Sequence, residues 1–364
     1  MKKTNKIMTR KRLLGFAPSL VAGLVVGGLL LPAALPTSAS AQVLRIYNWT
    51  DYTPPGLLKK FEKETGIKVQ LDTFDSNETL LAKMKSGGGV GYDLFVPTQN
   101  FVQIFVQEGL LEKVDIKNMP NYKYVDKKYR NPEWDPSQEY TVPWQIGHTS
   151  FAYNSSKYKG KGKSWKEFFA PDSSVKGKLA VFKSPSDVVD SALIYTGAKL
   201  CSENPQDYKK VLSILEKQKP FVRVYSSENV NERLKSGEVI MTNNWDGNTK
   251  RAQVDEGLRD VKLAFPKEGT VGFFDVMVMS SKAKNKDAAK KFMNFIMHPK
   301  NMAIISNAQG YANAIPKSKR YLDKALRKAQ ALNPPRKHKI FFTTKPCGQK
   351  AIRLTDRVWT SLQK

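Results

Sequence analysis

Between residues 43 and 107, apolar patterns of period two and period 3.6 take turns. That alternation restricts the chain to an α/β layout more tightly than any other feature of its sequence. Val43 to Asn48 predicts a strand. Pro55 to Thr65 predicts a helix with Leu57, Leu58 and Phe61 on one face and Gly66 as its stop. Ile67 to Phe74 alternates apolar and polar residues and predicts a second strand. Asn77 is a candidate cap for a helix through Lys85, which Gly87-Gly88-Gly89 breaks. Tyr92 to Pro97 predicts a third strand and Phe101 to Gln107 a helix. Such an order implies a parallel sheet with helices on its faces.

The middle of the chain repeats the theme. Strands are expected at Leu179 to Phe182, Pro220 to Tyr225, Val239 to Asn243, Val261 to Phe265 and Phe274 to Met279. Helices are expected at Asp187 to Leu200, Tyr208 to Lys217, Asn229 to Ser236 and Asp287 to Met297, with a partly helical, basic tail from Lys317. In open α/β sheets a ligand binds outside the carboxyl ends of the strands. Trp49, Thr50, Asp51 and Tyr52 follow the first strand; Thr98, Gln99 and Asn100 follow the third. Trp245, Asp246 and Asn248 follow a strand of the middle region.

The first twelve residues carry six Lys/Arg and no acid, and an apolar run from Leu13 to Leu35 follows. Ala39-Ser40-Ala41 supplies the small-x-small end of a secretory signal peptide, so cleavage after Ala41 is expected. An uncleaved anchor is the alternative, since the run is long enough to span a bilayer. The formal charge is +27, and removing the six leader charges leaves +21. Most of the excess is Lys spread along the chain, which argues for a solvated surface rather than a nucleic-acid site. Export permits a disulfide between Cys201 and Cys347, but sequence leaves it open whether they pair or stay as two buried thiols.

No enzyme site is evident. His148, His298 and His338 are far apart without metal-ligand spacing, no G-x-S-x-G occurs, and the Gly87–Gly91 run precedes a strand instead of following one. No cofactor or metal is expected. Aromatic and acidic residues at strand ends suit a different chemistry. A protonated alkylamine needs aromatic faces for its stem and cationic ends, and carboxylates for charge-assisted hydrogen bonds.

At these residues the sequence resembles the putrescine- and spermidine-binding proteins of bacterial polyamine ABC importers. The likeness covers nearly all of residues 42–364. It is carried by IYNWTDY (46–52), FEKETGIKV (61–69), FDSNETL (74–80), YDLFVPT (92–98), FPKEG with VGFFDV (265–276), AKNKDAAKKFMNFIMHP (283–299) and GYANA (310–314). The resemblance implies a two-lobed type II periplasmic binding protein fold, each lobe a mixed, mostly parallel sheet, with two crossovers between lobes. Lobe one would hold 42–148 and 276–316, and lobe two 149–275 and 317–364. It implies a monomer in the periplasm that hands its ligand to a membrane permease. By the same resemblance, Trp49, Tyr52, Trp245, Phe273 and Tyr311 match aromatic pocket positions. Asp51, Asp187 and Asp275 match acidic ones, and Thr50 and Asn100 match polar ones.

One segment departs from the pattern. Where putrescine-type relatives read Trp-x-Gly-Asp, this chain reads Trp245-Asp246-Gly247-Asn248. The acid is absent at Asn248 and appears at Asp246, whose direction sequence does not give. Other small solutes on the same fold, such as an amino-sugar, an amino acid derivative or a metal chelate, are therefore alternatives, as is a basic exported protein that binds anionic surfaces.

Overall fold

The first strand, β1 (Val43–Trp49), buries Leu44, Ile46, Tyr47 and Asn48, as a strand covered on both faces does. In this computed structural model, residues 43–364 are described, apart from 255 and 331; the leader and the expected cleavage at Ala41 lie outside them. Helix α1 (Pro55–Thr65) opens on Pro at N1 and stops at Gly66, whose φ of 72° a side chain would strain. Leu57 and Phe61 are its buried stripe. Strand β2 (Lys68–Phe74) pairs with β1 in parallel.

Ser76, not Asn77, caps α2 (Asn77–Lys85), its hydroxyl accepting from the Thr79 N–H. Asn77 turns away because its amide exchanges two hydrogen bonds with Thr98, at 3.0 and 3.1 Å. Strand β3 (Leu94–Phe95) is shorter than its apolar run, and α3 (Val102–Gln107) follows.

Strand β4 (Val142–Asn154) has no sequence-based counterpart. Twelve of its thirteen residues are buried, so no alternation marks it. After it come α4 (Lys166–Phe169), β5 (Leu179–Val181), α5 (Pro185–Thr196), α6 (Pro205–Gln218), β6 (Val222–Tyr225), α7 (Val230–Ser236), β7 (Met241–Trp245), α8 (Asp246–Val254), β8 (Val261–Leu263), β9 (Thr270–Met279), α9 (Lys286–Ile296), α10 (Pro299–Gln309), α11 (Lys324–Lys328), β10 (Ile340–Phe342) and α12 (Gln349–Leu362). Helix α5 ends four residues before the expected Leu200, at a left-handed Gly197.

The strands run in the order β2-β1-β3-β9-β4-β7-β5-β6, with β10 beside β9 and β8 beside β4. Strands β4 and β9 are antiparallel and join the two halves of the molecule; the end of β9 also pairs with β3. The register shifts between Pro143 and Gln145, where proline has no N–H for the ladder. One core packs α1, α9 and α10 around Phe61, Trp144 and Phe292. A separate core gathers Phe151, Trp165, Phe168 and Phe182 with Leu354 and Val358 of α12.

The tail is divided. Leu322 and Leu326 pack on Ala303 of α10, whereas α12 lies on α5 and α6. A disulfide between Cys201 and Cys347 closes a separation of 146 residues and pins the segment before α12 to the turn after α5. Loop closure on that scale is worth about 2–5 kcal/mol. Cys347→Ser should therefore shift the urea midpoint downward by a corresponding amount. An unchanged midpoint would show that α12 needs no covalent tether.

Candidate functional site

Strand β9 carries Asp275 into the middle of the molecule, opposite Gln145 of β4. The side chain is 5% exposed. Its Oδ2 accepts from the Tyr52 hydroxyl at 2.8 Å and its Oδ1 from the Thr98 hydroxyl at 2.9 Å. Thr98 is held in turn by Asn77. Burial pushes the Asp275 carboxyl up to about 7, against the pull of those two donors, and the Asp187 charge adds to the rise. The two carboxyl oxygens are thus oriented by neutral donors, neither of which is a cation.

Two residues along β9, Phe273 lies opposite Gly147. A Cβ on Gly147 would stand 2.4 Å from Phe273 Cζ, 2.6 Å from Asp246 Oδ1 and 2.9 Å from Tyr311 Cδ1. Glycine is required there because three side chains converge on one point. Tyr311 meets Phe273 edge-on at 5.7 Å and Tyr52 edge-on at 5.7 Å. Asp246, the first residue of α8, therefore belongs to the Tyr311 cluster. Its carboxyl is pushed up to about 8 by burial, opposed by backbone N–H groups of His148, Gly247 and its own.

Asp187 sits half-buried in the first turn of α5, its Oδ1 accepting from the Thr149 hydroxyl at 2.5 Å. Burial raises its carboxyl, and the Thr149 and Ser184 donors oppose that rise. Two neighbours complete an acidic rim. Asp190, one turn later, is pushed up to about 7 by burial and by Asp187; Glu78 of α2, though exposed to solvent, is raised by partial desolvation and by the Asp187 charge from the other half of the molecule.

The aromatic residues divide by half. Trp49 leans on Phe74 at 4.7 Å, and Trp245, at the end of β7, lies on Phe182 at 4.3 Å. With Phe273, both are partly buried against the core that contains Tyr52 and Tyr311.

Four sequence-predicted residues are placed otherwise. Thr50 is exposed and donates its hydroxyl to the Phe74 carbonyl, closing the turn after β1. Asp51 is exposed at a φ of 55°, and its backbone carbonyl accepts from Arg251 at 3.5 Å. Asn100 is half-buried in the short turn Gln99–Phe101. Asn248 donates to Asn244 Oδ1 at 2.8 Å and exchanges hydrogen bonds with Asn231. The Asn244 oxygen is fixed as an acceptor by the Trp245 N–H. An acid at 248 would face that oxygen without a proton to offer. Asn248→Asp is therefore expected to lose affinity severalfold for a cationic ligand, not gain it, in a calorimetric titration.

Sequence reasoning missed Phe182, Glu78, Asp190 and the glycines 147 and 247. Phe182 closes a recognised strand but faces Trp245 only through the β5–β7 pairing. A helix face crowded with acids near a strand end was the one available signal for Asp190.

Several buried carboxyls, raised by desolvation and by one another, beside aromatic faces, form a site that a positive charge would relieve. The comparisons agree with that architecture. The profile of the bacterial extracellular solute-binding protein family matches residues 56–334. The putrescine-binding periplasmic protein SpuD of Pseudomonas aeruginosa is 30% identical, over 96% of this chain and 98% of its own. The spermidine/putrescine-binding periplasmic protein of Escherichia coli is 32% identical, over 79% of this chain and 82% of its own. The TpPotD lipoprotein of Treponema pallidum superposes with a TM-score of 0.78 at 24% identity, covering 88% of this chain and 99% of its own, and shares the two-lobed type II fold. With a profile spanning most of its length and relatives that match it nearly end to end, this chain belongs to the bacterial extracellular solute-binding proteins.

Proposed function

We propose that this solute-binding protein captures a small organic polycation of the putrescine or spermidine class between its lobes. It delivers that ligand to the permease of an ABC importer, working as a monomer outside the cytoplasm after cleavage at Ala41. Lobe one takes 42–148 and 276–316 and lobe two 149–275 with α12, the lobes closing by hinge motion about β4 and β9. The observation that carries the reading is Asp275. It is a buried carboxylate held by Tyr52 and Thr98, with aromatic rings around it and further acids at Asp246 and Asp187. Cation–π contacts of about 1–2 kcal/mol and charged hydrogen bonds of about 1.5–3 kcal/mol each suffice for a diammonium ligand. The relatives that match the chain over most of its length carry polyamine ligands in their names.

A thermal-shift panel of putrescine, spermidine, spermine, amino-sugars and basic amino acids tests the reading. A ligand at a hundredfold excess over its Kd adds about 2.7 kcal/mol to stability. A shift with a polyamine alone is expected. A shift confined to an amino-sugar or amino acid would reassign the ligand, and no response to millimolar polyamine would end the proposal.

A further inference from the structure

Asp246 and His148 face each other deep in the molecule, and the imidazole has no hydrogen-bond partner there. Asp246 is 2% exposed and His148 1%. The carboxyl Oδ1 accepts the His148 backbone N–H at 3.2 Å, while Oδ2 stands 3.8 Å from His148 Nε2, beyond hydrogen-bond reach. Neither ring nitrogen of His148 has a hydrogen-bond partner. On its other side Asp246 borders the point over Gly147 where Phe273 and Tyr311 converge. A buried carboxyl whose Oδ2 stops short of the imidazole beside it, and a ring with no partner on either nitrogen, make an unfinished polar network. The aromatic edges around it are surroundings that an alkylammonium suits.

We propose that Asp246 is a second ammonium acceptor of the cleft, taking over from the acid missing at Asn248, and that filling it expels a proton to solvent. This rests on the polyamine reading and adds to it a residue and a proton stoichiometry. The groups around Asp246 decide where its charge can come from. On β4, His148 stays neutral, because burial and then the His338 ring 5.7 Å away hold it down to about 3. Tyr311 and Tyr52 are raised well above the usual phenol range, chiefly by burial, so both keep their protons. The Asp246 and Asp275 charges both add to the rise of these two phenols. Further along α8, Lys250 reaches toward the Asn307 carbonyl at 3.5 Å and Arg251 donates to Gln309 Oε1 at 3.2 Å.

The empty site therefore holds Asp246 as the acid at neutral pH, in keeping with a carboxyl pushed up to about 8. When an ammonium group arrives, the carboxyl O–H breaks, the proton passes to buffer and the carboxylate accepts an ammonium N–H. The ligand keeps all its protons.

Isothermal titration of putrescine and spermidine at pH 7, in phosphate and in Tris, measures the proton count from the difference in buffer ionisation heat. The wild-type protein should release protons on binding. Asp246→Asn should bind about tenfold more weakly and release nearly one proton fewer. Its unliganded melting temperature, equal to or above wild type, confirms folding; an alternative Asp246→Ser covers the case in which the amide does not fold. Adding Asn248→Asp to Asp246→Asn should not restore affinity, because position 248 faces Asn231 and Asn244. Equal affinity and equal proton release in the Asn variant would remove this subsite and leave the polyamine reading intact. Absence of heat from wild type with either amine would remove the reading and the subsite together.

Discussion

Asp275→Ala should lower affinity for a diamine or triamine about a hundredfold, the largest loss expected from any single side chain of the site. The variant removes the acceptor of a charged hydrogen bond and leaves the Tyr52 and Thr98 hydroxyls without theirs. Two such terms, each of roughly 1.5 kcal/mol, amount to two powers of ten in Kd. Stability should move the other way. Asp275 has a carboxyl near 7 in the folded protein, above its ordinary value in the unfolded chain. A carboxyl raised on folding contributes stability that is present below the unfolded pKa and is lost as pH rises through the folded one. The unliganded protein should thus weaken between about pH 4 and 7. Asp275→Asn should flatten that profile in urea titrations at stepped pH. Over the same window ligand affinity should climb, because the cation binds the ionised form. A wild-type affinity independent of pH from 5 to 8 would contradict both statements.

The second large effect belongs to a residue with no side chain. Gly247 opens α8 beside Asp246, and a Cβ there would stand 2.4 Å from Tyr311 Cδ1 and 2.5 Å from Cε1. Across the same contact, Gly310 has a φ of 84°, and a Cβ on it would lie 2.5 Å from the Gly247 carbonyl oxygen. Alanine at 247 favours the helix locally by about 1 kcal/mol. Its cost falls on the arrangement in which α8 meets the Gly310–Tyr311 turn. Gly247→Ala should therefore lower unliganded stability by about 1–3 kcal/mol, the cost of overpacking a tight contact, and bind ten- to a hundredfold more weakly as Tyr311 is displaced. Scattering should show a larger radius of gyration in saturating ligand than wild type. Wild-type affinity in this variant would mean that Tyr311 yields its place freely.

The helices that carry their own punctuation were legible in the sequence. Pro55 and Gly66 bracket α1, and the spacing of Leu57 and Phe61 gives its buried face without reference to the rest of the chain. Strand β4 was not legible, because burial on both faces erases alternation and because Pro143 and Gly147 each argue against a strand locally. Tertiary pairing with β7 and β9 overrides them. At the site, the placement of Trp49 and Trp245 at strand ends and of Tyr52 just after one was legible from chain order alone. The direction of a side chain on a helix's first turn is another matter. Asp246 and Asn248 differ by two residues and point to different neighbours, one to His148 and Tyr311, the other to Asn231 and Asn244. Helical geometry separates them by about 200°, and only the docking of α8 decides which one reaches Tyr311.

The double passage of β4 and β9 between the halves has a consequence for the order in which the chain can fold. Strands β1 to β3 are made early, yet β3 borders the last residues of β9, and the Tyr52–Asp275 bond spans 223 residues. Distant pairings of this kind slow folding, because the entropy of closing the intervening loop is lost before any contact repays it. The N-terminal half therefore cannot complete its sheet until the strand ending at Met279 exists. A nascent chain of this design therefore lacks its central pairing until most of its residues have been made.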